Sequence, residues 1–284
     1  MIKEYYTLTK PGIIYGNLIT AAGGFFLASK GDVDIALFVF MLVGLAAVIA
    51  SSCVFNNYYD RDIDGAMERT KSRALVIGRV PVRNALLFGF ILICAGMAIL
   101  AFHVHSLAAL IALIGFFVYL ALYTPLKRRT VHGTLVGAFA GAVPPVVGYT
   151  AVTNNLDLTA LLLFLILAFW QMPHFYAIAL NRFDEYAAAK IPVWPRERGI
   201  KSTKIYILMY IVLFSVAALS LTARSVTGYI YAICMSFLCI GWFLYGCWGL
   251  YKNEKRWAKN MFFISLVVLL VFSLLIGVDG FLQF

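Results

Sequence analysis

Charge is what this chain of 284 residues lacks most: Asp, Glu, Lys and Arg together make up 13% of it, about half the share a soluble domain carries. With 63% of the residues hydrophobic, so few charged side chains cannot cover the surface of a water-soluble globule. The same composition excludes disordered and fibrous classes. Cysteine is sparse too. Cys53, Cys94, Cys234, Cys239 and Cys247 all fall inside apolar runs with no CxxC or Cys/His metal spacing, which excludes a disulfide scaffold and reads the thiols as small core hydrophobes. Acidic residues number 13 against 23 basic ones. The resulting charge of +10 is scattered between apolar runs, so the expected partners are a lipid bilayer with an anionic face or an anionic substrate, and no nucleic acid. The N-terminal MIKEYYTLTKPG has the pattern of neither a signal peptide nor an Arg/Ser-rich transit peptide. The first apolar stretch is therefore expected to be a retained span, and the bacterial plasma (inner) membrane the location.

Long apolar runs are what the chain has in abundance. A helix needs about 20 apolar residues to cross about 30 Å of hydrocarbon. Nine runs reach that length, at roughly 12–29, 36–56, 84–102, 107–124, 133–152, 158–180, 204–222, 227–250 and 260–278. They do not alternate as barrel strands would, so the expected fold is all-α, an integral membrane bundle of nine transmembrane helices. No linker or Ser/Gly-rich stretch divides residues 1–284, which read as one membrane-embedded domain. Placing the N-terminus in the cytoplasm puts 21 of the 23 Lys and Arg on that side, with only Lys30 and Arg224 outside; this predicts an N-in, C-out topology. The chemistry is expected in a central cavity open to the cytoplasmic face, because the loops after helices 2, 4 and 6 are longer and dense in both signs of charge.

The loop after helix 2 carries the most specific pattern, Asn56-Asn57-Tyr58-Tyr59-Asp60-Arg61-Asp62-Ile63-Asp64-Gly65. If the helix continues to Gly65, a spacing of four puts Asn56, Asp60 and Asp64 on one stripe, neighbours about 6 Å apart, and turns Asp62 elsewhere. Two carboxylates one turn apart at a membrane boundary repel unless a cation lies between them. Mg²⁺ is the natural candidate, since it is held by one or two carboxylates together with phosphate oxygens and waters. The segment that follows, Glu68-Arg69-Thr70-Lys71-Ser72-Arg73, supplies donors for an anion. A diphosphate would fit both halves of the cluster, bridging Mg²⁺ on one side and accepting bonds from Arg69, Lys71 and Arg73 on the other.

NNYYDRDIDGAMERTKSRAL resembles the first Asp-rich motif of the membrane-embedded, UbiA-type prenyltransferase superfamily. The segments TKPGIIYGNLITAAGGFFLASKG, YTPLKRRTVHGTLVGAFAGAVPPVVGY and WQMPHFYAIALNRFDEYAAAKIPVWP extend the likeness through nearly the whole chain, and the last two are similar to the branch whose acceptor is haem. The resemblance implies that Asn56, Asp60 and Asp64 hold Mg²⁺ and the diphosphate, with Asp60 and Asp64 as the metal ligands. It implies that Lys127 and Arg128, with Arg129, face the same pocket beside Tyr123. The substrates implied are farnesyl diphosphate and haem B, joined at a haem vinyl group with addition of water, and the product would pass to a haem-using oxidase assembly pathway.

The superfamily's second Asp-rich motif should lie at the end of helix 6, where the chain departs from it: only Asp184 looks retained, and His174, Phe175 and Asn181 replace further carboxylates. A less acidic pocket suits a porphyrin with its own propionates, which Arg182, Lys190, Arg196 or Arg198 could pair. His174, Arg182, Asp184 and Tyr123 are the expected acceptor contacts. His174 follows Pro173 inside an apolar span; it could contact haem axially or bond the backbone that the proline frees. His103, His105 and His132 are not expected at the site. The Gly137/Gly141 pair with Pro144-Pro145 is expected to permit close packing and a break in helix 5. A prenyltransferase for a quinone precursor would want carboxylates where His174 stands, and a secondary transporter would hold its charges near the bilayer midplane; these are the competing readings.

Overall fold

The computed structural model describes residues 2–68, 70–251 and 254–282. All regular structure among them is helical, as it must be where lipid offers the backbone no partners. Among the described residues, nine helices are long and apolar enough to span a membrane: α1 Pro11–Ser29, α2 Ile35–Tyr59, α3 Val82–His103, α4 Ser106–Leu126, α5 Gly133–Thr153, α6 Leu158–Asn181, α7 Ile200–Ala223, α8 Tyr229–Tyr251 and α9 Lys255–Phe281. The two largest departures from the expected bounds are the starts of α7 and α9. There a polar first turn extends the helix beyond the apolar window that length arguments detect.

At the end of the bundle remote from Asp60, acidic caps start two of the helices. Asp34 accepts from Leu37 N–H at 2.9 Å and Asp157 from Ala160 N–H at 3.0 Å, each satisfying a donor that a helix start leaves open. Stripes of large apolar residues, such as Ile233, Phe237, Ile240 and Leu244 on α8, face outward and exposed, as lipid-facing surface does.

Where helices come closest the contact is made by small residues, which let backbones approach when lipid supplies no hydrophobic drive. α1 packs on α5, α9 and α2, while α6 packs on α7 and α9. A Cβ on Gly148 would lie 1.9 Å from the Ala21 carbonyl oxygen, and one on Gly24 2.2 Å from that of Pro145, so α1 and α5 touch through their main chains. α5 is interrupted at Ala142, between Gly133–Gly141 and Val143–Thr153, as its glycines and prolines predict. Gly137 backs onto the Tyr123 ring and Gly141 onto Gln171.

Candidate active site

Helix α2 ends at Tyr59, and Asp60 (φ −89°, ψ 0°) joins it to the short helix Arg61–Asp64. The expected uninterrupted helix to Gly65 is thus kinked, yet its stripe survives. The i→i+4 bonds pass through the joint, from Asp60 N–H to Asn56 O at 2.9 Å and from Asp64 N–H to Asp60 O at 2.8 Å. Asn56, Asp60 and Asp64 are buried, at 1%, 4% and 4% exposure. Asp62 turns away, its side chain 64% exposed.

Each buried carboxylate has a basic partner. Lys127 Nζ donates to Asp60 and Arg73 to Asp64. Arg128 stands behind them, 2.7 Å from Asp62 and 3.4 Å from Asp60, with its guanidinium over the Tyr59 ring; its hydrogen bond holds the Asp62 carboxyl below the usual carboxylate range. A further cation, Lys10, donates to Asn56 Oδ1 at 2.6 Å. Its backbone is left-handed (φ 52°), a costly conformation for a residue preceding proline. It is imposed between the helix Ile2–Leu8, which Asn57 Nδ2 ties down at the Leu8 carbonyl (2.8 Å), and the start of α1. Burial pushes the Lys10 ammonium down to about 8, with Arg73 and Lys127 adding to the effect. Burial also lowers Lys127, against the pull of Asp60.

The last turns of α4 widen into a π-helix over Val118–Tyr123, a distortion common at functional sites. Thr124 Oγ1 donates to the Tyr119 carbonyl at 2.8 Å and accepts from Asn56 Nδ2 at 3.1 Å, so the widened turn is bolted to the carboxylate stripe. Tyr119 and Tyr123 stand with ring centroids 5.2 Å apart, and Lys127 Nζ lies 5.3 Å from the Tyr123 centroid.

These groups line two adjoining chambers. The polar one, about 590 Å³, is bounded by Lys10, Asp60, Asp64, Arg73, Lys127 and Arg182 among others; the apolar one, about 320 Å³, by Leu45, Val48, Phe116, Trp170, His174 and Leu266 among others. Gly12, Ile13, Tyr119, Tyr123 and Phe175 border both. In the apolar chamber His174 Nδ1 lies 2.8 Å from Ser265 Oγ of α9, and its ring is stacked on Trp170. The backbone freed by Pro173 is therefore not its partner.

Residues 17–267 match the UbiA prenyltransferase family. The chain belongs to that family. It is 49% identical to the protoheme IX farnesyltransferase of Pseudomonas savastanoi pv. phaseolicola over 281 residues, 98% of this chain and 95% of the relative. It is 48% identical to the protoheme IX farnesyltransferase of Yersinia pseudotuberculosis over 282 residues, with the same coverage. Among solved structures, the fold matches a digeranylgeranylglyceryl phosphate synthase with a TM-score of 0.82 at 18% identity, covering 98% of each chain. It also matches a UbiA homolog from Archaeoglobus fulgidus bound to GPP and Mg²⁺, with a TM-score of 0.70 at 19% identity, covering 97% of this chain and 99% of that one.

Within this UbiA-family site the structure brings together Asn56, Asp60, Asp64, Arg73, Tyr123, Lys127 and Arg182, and sets His174 in the neighbouring chamber. Other expectations are corrected. Asp184 does not line either chamber: the short helix Phe183–Ala188 turns its side chain to the surface, 75% exposed, where Lys255 pairs with it at 2.7 Å. Lys71 is likewise outward, paired with Glu68 at 2.6 Å. Arg128 braces the carboxylates from behind rather than lining the cavity. Lys190, Arg196 and Arg198 do not line it either. Arg69 lies outside the described residues. Lys10, Tyr119 and Ser265 were missed; the one sequence signal for Lys10 was a cation placed directly before the Pro-Gly that opens the first span.

Asp60 and Asp64 suit a shared Mg²⁺ rather than a self-sufficient metal cage. Among the described residues no group of three or more His, Cys, Asp and Glu could hold an ion. Two hard carboxylates on one face, with the Asn56 amide one turn away, match an ion that completes its shell with phosphate oxygens and waters. Four cations against two carboxylates line the polar chamber, an excess that calls for an anion.

Proposed function

We propose that this UbiA-family enzyme transfers the farnesyl group of farnesyl diphosphate to a vinyl group of haem B, with addition of water, giving haem O and diphosphate. The observation that carries the reading is the pair of joined chambers. One is polar and rich in cations, the other apolar and furnished with a histidine, in a chain alike end to end to protoheme IX farnesyltransferases.

The diphosphate is placed in the polar chamber, where Lys10, Arg73 and Lys127 donate to its oxygens as the allylic C–O bond breaks. Such preorganised donors act on the charge that develops in the transition state. Mg²⁺, when bound by Asp60 and Asp64, neutralises charge on the departing group. The faces of Tyr119 and Tyr123, at the junction of the chambers, stabilise the allylic cation, and the apolar walls keep water from quenching it before the vinyl carbon attacks. Arg182 lines the polar chamber and is assigned to a propionate.

The excess of Lys and Arg on one set of loops supports an N-in, C-out orientation, with the active face towards the cytoplasm of a bacterial cell and the protein multi-pass in its inner membrane. Residues 1–284 then act as one domain, and haem O passes to assembly of a haem-using oxidase. A phenolic quinone precursor is disfavoured because, among the described residues, α6 and the segment after it bring Asn181, Arg182 and Tyr186 to the polar chamber and no carboxylate. Offering the purified enzyme haem B and a hydroxybenzoate in competition for farnesyl diphosphate tests the choice. Prenylated haem alone is expected, and prenylated benzoate alone would reverse the assignment.

A further inference from the structure

We infer that His174 Nε2 is the axial ligand taken by the haem iron in the apolar chamber, and that Ser265 is the positioning residue that prepares it; the inference rests on haem being the acceptor. The argument is one of hydrogen-bond direction. Ser265 Oγ lies 2.6 Å from the Phe262 carbonyl and donates its single proton there. Towards His174 Nδ1, at 2.8 Å, the hydroxyl has only lone pairs left. The proton on that bond must therefore come from Nδ1–H, and in a neutral imidazole this leaves Nε2 as a bare lone pair. No described residue bonds Nε2.

The ring is also immobilised. It is stacked on Trp170 with centroids 4.9 Å apart at 24° and lies against Phe262 at 4.9 Å and 33°. Trp170 Nε1 in turn donates to the Ser265 carbonyl at 2.8 Å, so one residue of α9 fixes both rings of α6. An imidazole whose Nδ1–H is held by an oxygen acceptor, with the other nitrogen open, is the arrangement by which proteins orient a metal-binding histidine and raise its basicity. The competing donors are weaker claimants. The Gln171 amide offers iron only a neutral carbonyl oxygen, its Nε2 being spent on the Ala138 and Leu167 carbonyls, and Cys53 is the thiol bordering the chamber. An iron–Nε2 bond would restrict the porphyrin to rotation about a single axis, which is a large part of presenting one vinyl edge to the farnesyl cation.

The test is optical and paramagnetic titration of the purified protein with haem B, in ferric and ferrous forms. Wild type should give an imidazole-ligated spectrum. H174A should lose it and recover it when free imidazole is added, a rescue that a purely structural histidine would not show. S265A should keep the spectral type but bind haem about 10-fold more weakly, with farnesyl diphosphate affinity unchanged in both variants. If H174A does not fold, the wild-type spectrum and S265A decide. A wild-type spectrum lacking a nitrogen ligand, a thiolate spectrum lost in C53S, or H174A and S265A both binding haem as wild type does would overturn the ligand while leaving the proposed reaction standing. A wild-type protein that neither binds nor farnesylates haem B would overturn both.

Discussion

Lys10 shows how much a single side chain can decide. Burial pushes its ammonium down to about 8, so below that pH it is charged and can donate to a diphosphate; above it the donor is a neutral amine. Affinity for farnesyl diphosphate should therefore fall as pH rises through about 8, and K10R, whose charge does not titrate there, should flatten that limb in a binding titration. The stability linkage runs the other way. The folded protein releases this proton earlier than the unfolded chain, whose lysines titrate near 10.4, so the group's contribution to stability rises with pH between those values. Asp60 and Asp64 make a second residue-scale prediction. D60N and D64N should each slow farnesyl transfer by about 10²–10³, as loss of one electrostatic contact to a developing charge does, and should raise the Mg²⁺ concentration required. D62N should cost far less, because Asp62 reaches the site only by steering Arg128. D60N also strands the partly buried Lys127 ammonium, so it should lower the melting temperature of the substrate-free protein where D62N does not.

At the scale of elements, the α1–α5 contact is the most exacting. A methyl group at Gly148 has nowhere to go but into the Ala21 carbonyl, whereas one at Gly12 meets nothing within 4 Å. G148A should destabilise the protein by about 1–3 kcal/mol, the range of overpacking. G12A should fold normally and act only by intruding on the chambers it borders; thermal unfolding in detergent separates the two. The same contrast shows what was legible in the sequence. Apolar runs read off the nine helices, and the Asn56–Asp60–Asp64 spacing read off the stripe, because both depend on local periodicity. The kink at Asp60, the π-turn at Val118–Tyr123 and the tie from Lys10 to Asn56 are set by contacts between segments far apart in the chain. Ser265 is one serine among apolar neighbours until α9 is laid against α6. Asp184 misled because a family motif places a residue in the chain but not which way a short helix turns it.

The whole molecule adds the question of sidedness. If the charged end of the bundle faces the cytoplasm, reporters that fluoresce only there should be active when inserted after residue 75 or after residue 255 and inactive after residue 284. Activity at the far terminus together with the other two sites would refute the nine-helix count, and activity there alone would invert the account of where substrates enter. The joined chambers make a stronger demand, since both substrates must meet inside one protein and leave as one product. The most direct measurement is mass analysis of haem recovered after the purified protein is incubated with haem B, farnesyl diphosphate and Mg²⁺ in isotopically labelled water. The account predicts a haem heavier by one farnesyl group and one hydroxyl, the hydroxyl oxygen taken from the water, formed by wild type and nearly absent with D60N and D64N. Haem B recovered unchanged from the wild-type reaction would contradict it.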